Sequence, residues 1–471
     1  MVKLNIDVIH QILKEFQNDN ETLYSCLFVN KTWCETTIPI LWKNPTRECA
    51  HINEYKLFNV ILLHLSEESR NNLKKQGIHL FTETNYHQPL FNYISFWRDL
   101  VLFFLERMLY SLFGSYNIDE PKISILRNEL LNLFDQNQKF TSLNLVNTQK
   151  FQISGNEQCF SGLEHLCCSV YTDSNILERL ATTNTSIKKL SFEIHSNINN
   201  PGILRIIEAQ NNLKEVVFNH SYSPKNNVKY CKALEVSLIK CADTIQYLRI
   251  DWEPITNYLS FLVNLVSLEI LATSANAKCI HLENVTLTHL KILKANFTPF
   301  KSLISLIKNT KGNLNEITIL YRVSDYGRLI RAIYQNCPNL NYLRLSMNND
   351  DILEFGNLLT NCRFLSSLHI MEEDNLFYPY GNLNWNELLK ILVKSSPICL
   401  LEFTFFHKNT GIMLEALKIF LENWKDKHPI LMLKVFPLER DSIHLVQQLN
   451  DLIQEYTVKG TIKSKLGLLS N

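Results

Sequence analysis

The side chains of this 471-residue chain best suited to chemistry are its cysteines and histidines, and the tightest grouping is Cys159, His165, Cys167 and Cys168. Thiolates and imidazoles hold zinc when four of them converge on a tetrahedron. Here the paired Cys-x-x-Cys spacing is absent, and adjacent Cys167 and Cys168 in a strand point to opposite faces. A second grouping, Cys34 with Cys49 and His51, falls where the pattern reads as helix and polar connector. Neither is assigned a metal. The twelve cysteines form no compact framework, and in a reducing compartment they behave as small buried hydrophobes. There is no P-loop, no Gly-x-Gly-x-x-Gly turn, no Gly-x-Ser-x-Gly elbow and no His-Glu-x-x-His helix. The expectation is a chain that binds without catalysing, with no catalytic residue, metal or cofactor.

Charge and composition narrow the partners. Lys and Arg number 47 against 46 Asp and Glu, a formal charge of +1, which supplies no field for nucleic acid or an anionic membrane. Hydrophobic residues at 46%, charged residues at 20% and only 12 Gly and 13 Pro describe a globular chain with a sizeable core. Residues 1–7 lack the apolar stretch and cleavage site of a secretory signal, which places the protein in the cytoplasm, the nucleus or both. The most apolar stretch, Ile94 to Phe113, contains Arg98, Asp99, Glu106 and Arg107, each costly at mid-bilayer, and is read as a buried helix.

The elements that position these residues follow from periodicity. In residues 1–45, Ile6, Ile9, Ile12, Leu13 and Phe16 recur at steps of three and four, the period of one helix face. After the polar break Asn18-Asp19-Asn20 come Leu23, Leu27, Val29 and Trp33, then Ile38, Ile40, Leu41 and Trp42. Three short helices of this size bury too little surface to stand alone. Residues 46–138 stay helical over Tyr55 to Leu65, Tyr93 to Phe113 and Ile123 to Phe134, with Pro89, Gly114 and Pro121 as punctuation, and read as a helical connector.

Residues 139–438 repeat an apolar-x-x-apolar-x-apolar unit. Clear copies are Ile187-x-x-Leu190-x-Phe192, Leu213-x-x-Val216-x-Phe218, Ile245-x-x-Leu248-x-Ile250, Leu265-x-x-Leu268-x-Ile270, Leu290-x-x-Leu293-x-Ala295, Leu314-x-x-Ile317-x-Ile319, Leu340-x-x-Leu343-x-Leu345 and Leu365-x-x-Leu368-x-Ile370. Weaker copies sit near Leu143, Leu166, Phe403 and Leu433, and the spacing averages about 26 residues. A helical stretch precedes each copy, for example Pro201 to Gln210, Phe300 to Lys308, Asp325 to Gln335, Asp350 to Asn361 and Trp385 to Lys394, and Cys241, Cys337 and Cys362 close three of them. The fold class is an α/β solenoid, a horseshoe with one strand and one helix per repeat. The long intervals from 216 to 248 and from 368 to 403 are expected to hold loop insertions. Residues 439–471 are read as a capping helix, Ile443 to Tyr456, and a tail.

Alternation along each strand sends the residues between the repeat leucines to the opposite, concave face. The candidate target-binding residues there are Tyr247, Arg249, Asp251, Glu269, Lys294, Tyr342, Arg344, His369, Glu402 and Phe406. Their charges alternate in sign, and Tyr and Arg are frequent interface anchors. Lys189, Ser191 and Glu193 begin the same row.

The series Leu4-x-Ile6-x-Val8-Ile9-x-x-Ile12-Leu13-x-x-Phe16, followed by Val29-Asn30-Lys31-Thr32-Trp33 and Trp42, resembles the F-box motif, whose core reads Leu-Pro-x-Glu-x-x-x-x-Ile-Leu and Val-x-Lys-x-Trp. The match spans about a tenth of the chain and rests on joint spacing. Asn5 stands where the motif has Pro and Asp7 where it has Glu, so the opening turn lacks proline's fixed φ. The later repeat resembles the leucine-rich repeat family in the cysteine-containing form that often follows F-boxes. The resemblance implies a non-catalytic substrate-recognition subunit of a Skp–cullin–F-box type ubiquitin ligase. Leu4, Ile6, Ile9, Ile12, Leu13, Phe16, Leu23, Leu27, Val29, Trp33 and Trp42 would then bind the Skp adaptor, and through it a cullin, while the solenoid holds a target protein. The alternative is a leucine-rich-repeat protein-binding scaffold acting outside a ubiquitin ligase.

Overall fold

The structure is a computed structural model that describes residues 4–46, 54–79, 89–116, 119–137, 139–148, 158–195, 198–220, 227–271, 278–320, 326–372, 383–407, 410–425, 431–437 and 443–464. The chain divides into two compact units, Met1–Ile194 with Ile198–Leu213, and Lys214–Asn471 with His195–Asn197. Both are α/β solenoid-like, with parallel strands alternating with helices.

The first unit opens on three helices, α1 (Ile6–Glu15), α2 (Asn20–Cys26) and α3 (Lys31–Leu41). Each starts on an Asn or Asp side chain that accepts an otherwise orphan amide: Asn5 from Asp7 N at 3.4 Å, Asp19 from Thr22 N at 3.1 Å and Asn30 from Trp33 N at 3.1 Å. Asn5 therefore caps α1 with its side chain, and at φ −65° it already holds the dihedral that proline would impose. The core is small: Ile9, Leu13, Leu23 and Cys26, with Trp33, Ile40 and Leu41 packed against it.

The unit continues with α4 (Glu54–Leu62), α5 (Glu67–Lys75), β1 (Asp99–Val101), α6 (Leu102–Tyr116), α7 (Glu120–Asn137), β2 (Ser142–Asn144), β3 (His165–Ser169), α8 (Ser174–Thr183), β4 (Lys189–Ile194) and α9 (Pro201–Glu208). The stretch Ile94 to Phe113 is thus no single helix. A 3-10 turn at Tyr93–Phe96 and the strand β1 precede α6, because Arg98 N and Asp99 N turn away from helical bonding and donate to Lys43 O at 2.9 and 3.1 Å. The sheet therefore begins inside the segment expected to be a helical connector. Lys43 follows directly on α3, so the three-helix segment is hydrogen-bonded to the first strand, and Trp42 packs on Tyr93 with ring centroids 4.5 Å apart.

The second unit holds β5 (Glu215–His220), α10 (Val228–Ile239), β6 (Tyr247–Ile250), β7 (Ser267–Leu271), β8 (Ile292–Asn296), α11 (Phe300–Asn309), β9 (Glu316–Ile319), α12 (Tyr326–Asn336), β10 (Tyr342–Met347) and α13 (Ile352–Asn361). It ends with β11 (Ser367–Glu372), α14 (Trp385–Ser395), β12 (Glu402–His407), α15 (Thr410–Trp424), β13 (Leu431–Pro437), α16 (Ile443–Val458) and β14 (Ile462–Ser464). The expectation of a helix before each copy holds for most but fails before Leu265 and Leu290, where β6, β7 and β8 are joined through 3-10 turns at Tyr258–Phe261 and Ile280–Leu282. The β6–β7 connection is the short one, whereas the β7–β8 connection is as long as neighbouring ones that hold a full helix. The expected capping helix is interior: α16 is followed by β14, which pairs in parallel with β13. The expected insertions fall largely on residues 221–226 and 373–382, which lie outside the described residues.

Register confirms the phase of the repeat. Leu100, Leu143, Leu166 and Leu190 are successive partners in the first unit. In the second unit the row runs Val216, Leu248, Leu268, Leu293, Ile317, Leu343, Leu368, Phe403 and Leu433. All these side chains are buried, and Cys241, Cys337 and Cys362 are buried at the helix ends.

The first unit also buries an ion pair, in which Arg127 Nε and Nη2 donate to the two oxygens of Glu106 at 2.6 and 2.8 Å. Such pairs contribute little net stability, yet half of one is costly. Arg127→Met alone is expected to destabilise α6 and α7 by about 3–5 kcal/mol, and the double variant Glu106→Leu/Arg127→Met to recover most of that loss. Hydrogen exchange of the α6 and α7 amides measures both; equal protection loss in the single and double variants would contradict a role for the pair.

Candidate functional site

In the three-helix segment, burial separates the F-box-like residues into two groups. Ile9, Leu13 and Leu23 form the segment's own core, which corrects the expectation that they face an adaptor. Leu27 and Trp33 are half-buried, and Trp42 is engaged with Tyr93. Leu4, Ile6, Ile12, Phe16 and Val29 are exposed. Val8, Tyr24 and Phe28 are also exposed, with Phe28 at 87%. Val8, Ile12 and Phe16 follow at four-residue steps, so they form a second apolar stripe on α1 beside the buried stripe of Ile9 and Leu13. Phe28 escapes a periodicity count because α2 ends at Cys26 and the count runs on through the turn.

In the second unit the strand face opposite the leucines is organised by two rows of partners. One runs Arg249, Glu269, Lys294, Thr318, Arg344, His369, Thr404 and Lys434; the other runs Tyr247, Ser267, Ile292, Glu316, Tyr342, Ser367, Glu402 and Met432. Neighbours on such rows stand about 5 Å apart, within reach of long side chains.

Around Glu269 the face satisfies itself. Tyr247 Oη donates to Glu269 Oε2 at 3.0 Å, Arg249 Nη1 lies 3.5 Å from Glu269 Oε1, and Lys294 Nζ lies 4.0 Å from Oε2. Arg249 Nε also donates to Asp251 at 3.1 Å. Burial and the Glu269 carboxylate push the Tyr247 phenol up to about 12. Asp251 is buried rather than presented, because Arg249 folds over it.

Around His369 the face is aromatic. Tyr342 and His369 have ring centroids 5.0 Å apart, the Arg344 guanidinium lies 4.9 Å from the centre of the Phe406 ring, and Phe406 stacks on Phe436 at 4.9 Å. Phe406, a candidate target-binding residue by alternation, is therefore covered rather than presented. Glu402 accepts from Lys434 Nζ at 2.6 Å and Ser367 Oγ at 3.0 Å. Burial works to raise its carboxyl, but these two bonds outweigh it and hold the pKa below the ordinary value. Lys434 and Phe436 sit beside the weak repeat copy at Leu433, where strand alternation would have found them.

A second group that sequence reading missed is Glu235, fully buried on α10. It accepts from Trp252 Nε1 (3.0 Å), Ile255 N (2.9 Å), Thr256 N (2.7 Å) and Thr256 Oγ1 (2.7 Å). Burial nevertheless raises its carboxyl above the ordinary range. It shapes the loop after β6 and is a structural group.

The cysteine groupings do not assemble. Cys168 and Cys159 are buried, Cys167 is half-buried on the other strand face and His165 is exposed. Cys49 and His51 lie outside the described residues. Among the described residues no three His, Cys, Asp or Glu are arranged for a metal ion, and no helix is long and apolar enough to cross a membrane.

His369 supplies a pH test. Burial lowers its pKa from 6.5 to about 4; the Glu402 carboxylate opposes that shift, and Arg344 and Lys434 reinforce it. The unfolded chain therefore takes up this proton first as pH falls. The resulting stability is complete above pH 6.5 and is lost on the way down to pH 4. After allowance for solvent screening the loss is about 1–2 kcal/mol. His369→Gln is expected to flatten the urea midpoint of the second unit over that window; an unchanged slope would show that His369 is not the group responsible.

No family model matches the chain, and no curated protein matches it. Among solved structures the chain is similar to the "Crystal structure of Rad7 and Elc1 complex in yeast", at 11% identity and a TM-score of 0.39, over 96% of this chain and 91% of that one. A likeness this loose fixes neither partner nor activity here.

Proposed function

We propose that the chain is a non-catalytic substrate-recognition subunit of a Skp–cullin–F-box type ubiquitin ligase, working in the cytoplasm or nucleus. The observation that carries this reading is the second apolar stripe on α1. A helix with Ile9 and Leu13 already buried has no internal use for Val8, Ile12 and Phe16, and Phe28 and Val29 are exposed on the same small segment. Exposed apolar surface beyond scattered single residues marks a docking site. The motif resemblance names the Skp adaptor as occupant, and the cross-bond from Lys43 to the first strand would carry the adaptor's position into the repeats. Ubiquitin transfer would then depend on proximity, the chain raising the effective concentration of a bound target near the charged conjugating enzyme.

Full-length chain co-purified with the Skp adaptor tests this. Ile12→Asp and Phe28→Asp, both at exposed positions, are expected to weaken retention at least about tenfold while leaving the fold intact. Leu13→Ala is expected to act differently, loosening the segment by about 2–5 kcal/mol. Asn5→Pro should keep adaptor binding, since φ is already −65°. If the wild-type chain retains no adaptor, or the two aspartate variants retain it fully, the ligase reading falls and the repeats act as a protein-binding scaffold.

A further inference from the structure

On the strand face of the second unit, Arg344 differs from the other cations. Arg249 is paired with Asp251 and Glu269, and Lys434 with Glu402. Among the described residues Arg344 makes no ion pair. Its contacts are the face of the Phe406 ring, the Met371 sulfur 3.4 Å from Nη2, and the neighbouring strand residue His369. Glu316 on β9 does not reach it, and Glu402 is already committed to Lys434 and Ser367. Two buried nitrogens on adjacent partners, Arg344 Nε and His369 Nε2, have no hydrogen-bond partner among the described residues. Both nitrogens are shielded from solvent, and leaving such groups unmet is costly.

We propose that Arg344 is the seat for one acidic side chain, Asp or Glu, of a peptide segment in the target. This rests on the target-holding role proposed for the repeats. Stacking on Phe406, itself stacked on Phe436, holds the guanidinium plane in place, so its fork is oriented before the ligand arrives. A carboxylate matches that fork with two parallel hydrogen bonds. Tyr342 and His369 form an aromatic wall for an apolar residue beside the acid. The local charges favour a carboxylate over a phosphate dianion. Arg344 offers a single positive charge, and Glu316 on the flanking strand β9, with Glu402 two strands away on β12, repels a second negative charge.

The test is selection of a displayed random heptapeptide library on the full-length chain. The expected peptides share one Asp or Glu next to an apolar residue. Changing that acid to its amide should weaken binding at least tenfold to the wild-type chain and leave binding to Arg344→Gln unchanged. Arg344→Lys, which keeps the charge and loses the fork, should fall between them. Selected peptides that bind Arg344→Gln as well as wild type, that tolerate the amide, or that carry no acid would overturn the assignment, as would a tenfold gain on replacing the acid by phosphoserine. An unchanged urea midpoint of the second unit in Arg344→Gln serves as the folding control, and adaptor retention, read on the N-terminal helices, should also survive the substitution. Failure at this seat is thereby separated from failure of the ligase reading.

Discussion

A single backbone carbonyl per repeat sets the geometry of both units, because it accepts two successive amides from the start of the next strand. Lys43, Arg98, Thr141 and Glu164 do this in the first unit; Lys214, Gln246, Val266, Lys291, Asn315, Asn341 and Ser366 do it in the second, with N···O distances of 2.8–3.1 Å. A shared acceptor leaves the next strand no freedom to slide. Side chains alternate with a period of two, so a slip of one residue would exchange the leucine face for the polar one. The fixed carbonyl is why leucine stands beside leucine through each unit whether the connection is a helix or a 3-10 turn.

The same constraint decides the electrostatics of the exposed strand face. Locked register places Arg249 beside Glu269 and Lys294 beyond it, so these charges neutralise one another across strands. It also places Arg344 between Thr318 and His369, neither of which carries a negative charge. A near-zero net charge for the whole chain thus conceals a cation held apart from its counter-ions.

Much of the architecture was legible in the sequence because each repeat declares its own phase. Even the weak copies at Leu143, Leu166, Phe403 and Leu433 lie in the buried row. The terminal strands β1 and β14 were not legible, since each is three residues long and carries too little pattern to separate from a helix or a tail. In the three-helix segment, periodicity found the apolar residues of α1 but could not divide the stripe used internally from the one left open; that division depends on where α2 and α3 pack. On the strand face the candidates were located by alternation, while their pairing was hidden. Tyr342 meets His369, and Arg344 meets Phe406, only through the register of separate repeats. Glu235 gave no signal at all, being one acid among the apolar residues of α10.

The bond from Arg98 and Asp99 to Lys43 O gives the junction at residue 45 a different meaning from the one composition suggests. By composition it separates a small helical segment from the longer remainder of the chain, but mechanically the helical segment supplies the acceptor on which the first strand is laid. β1 is the terminal strand of the sheet, and a chain cut there would leave the Arg98 and Asp99 amides at its start without their acceptor, adding two open donors to an edge of the kind that invites self-association. The N-terminal helices therefore close off the start of this edge whatever else they bind.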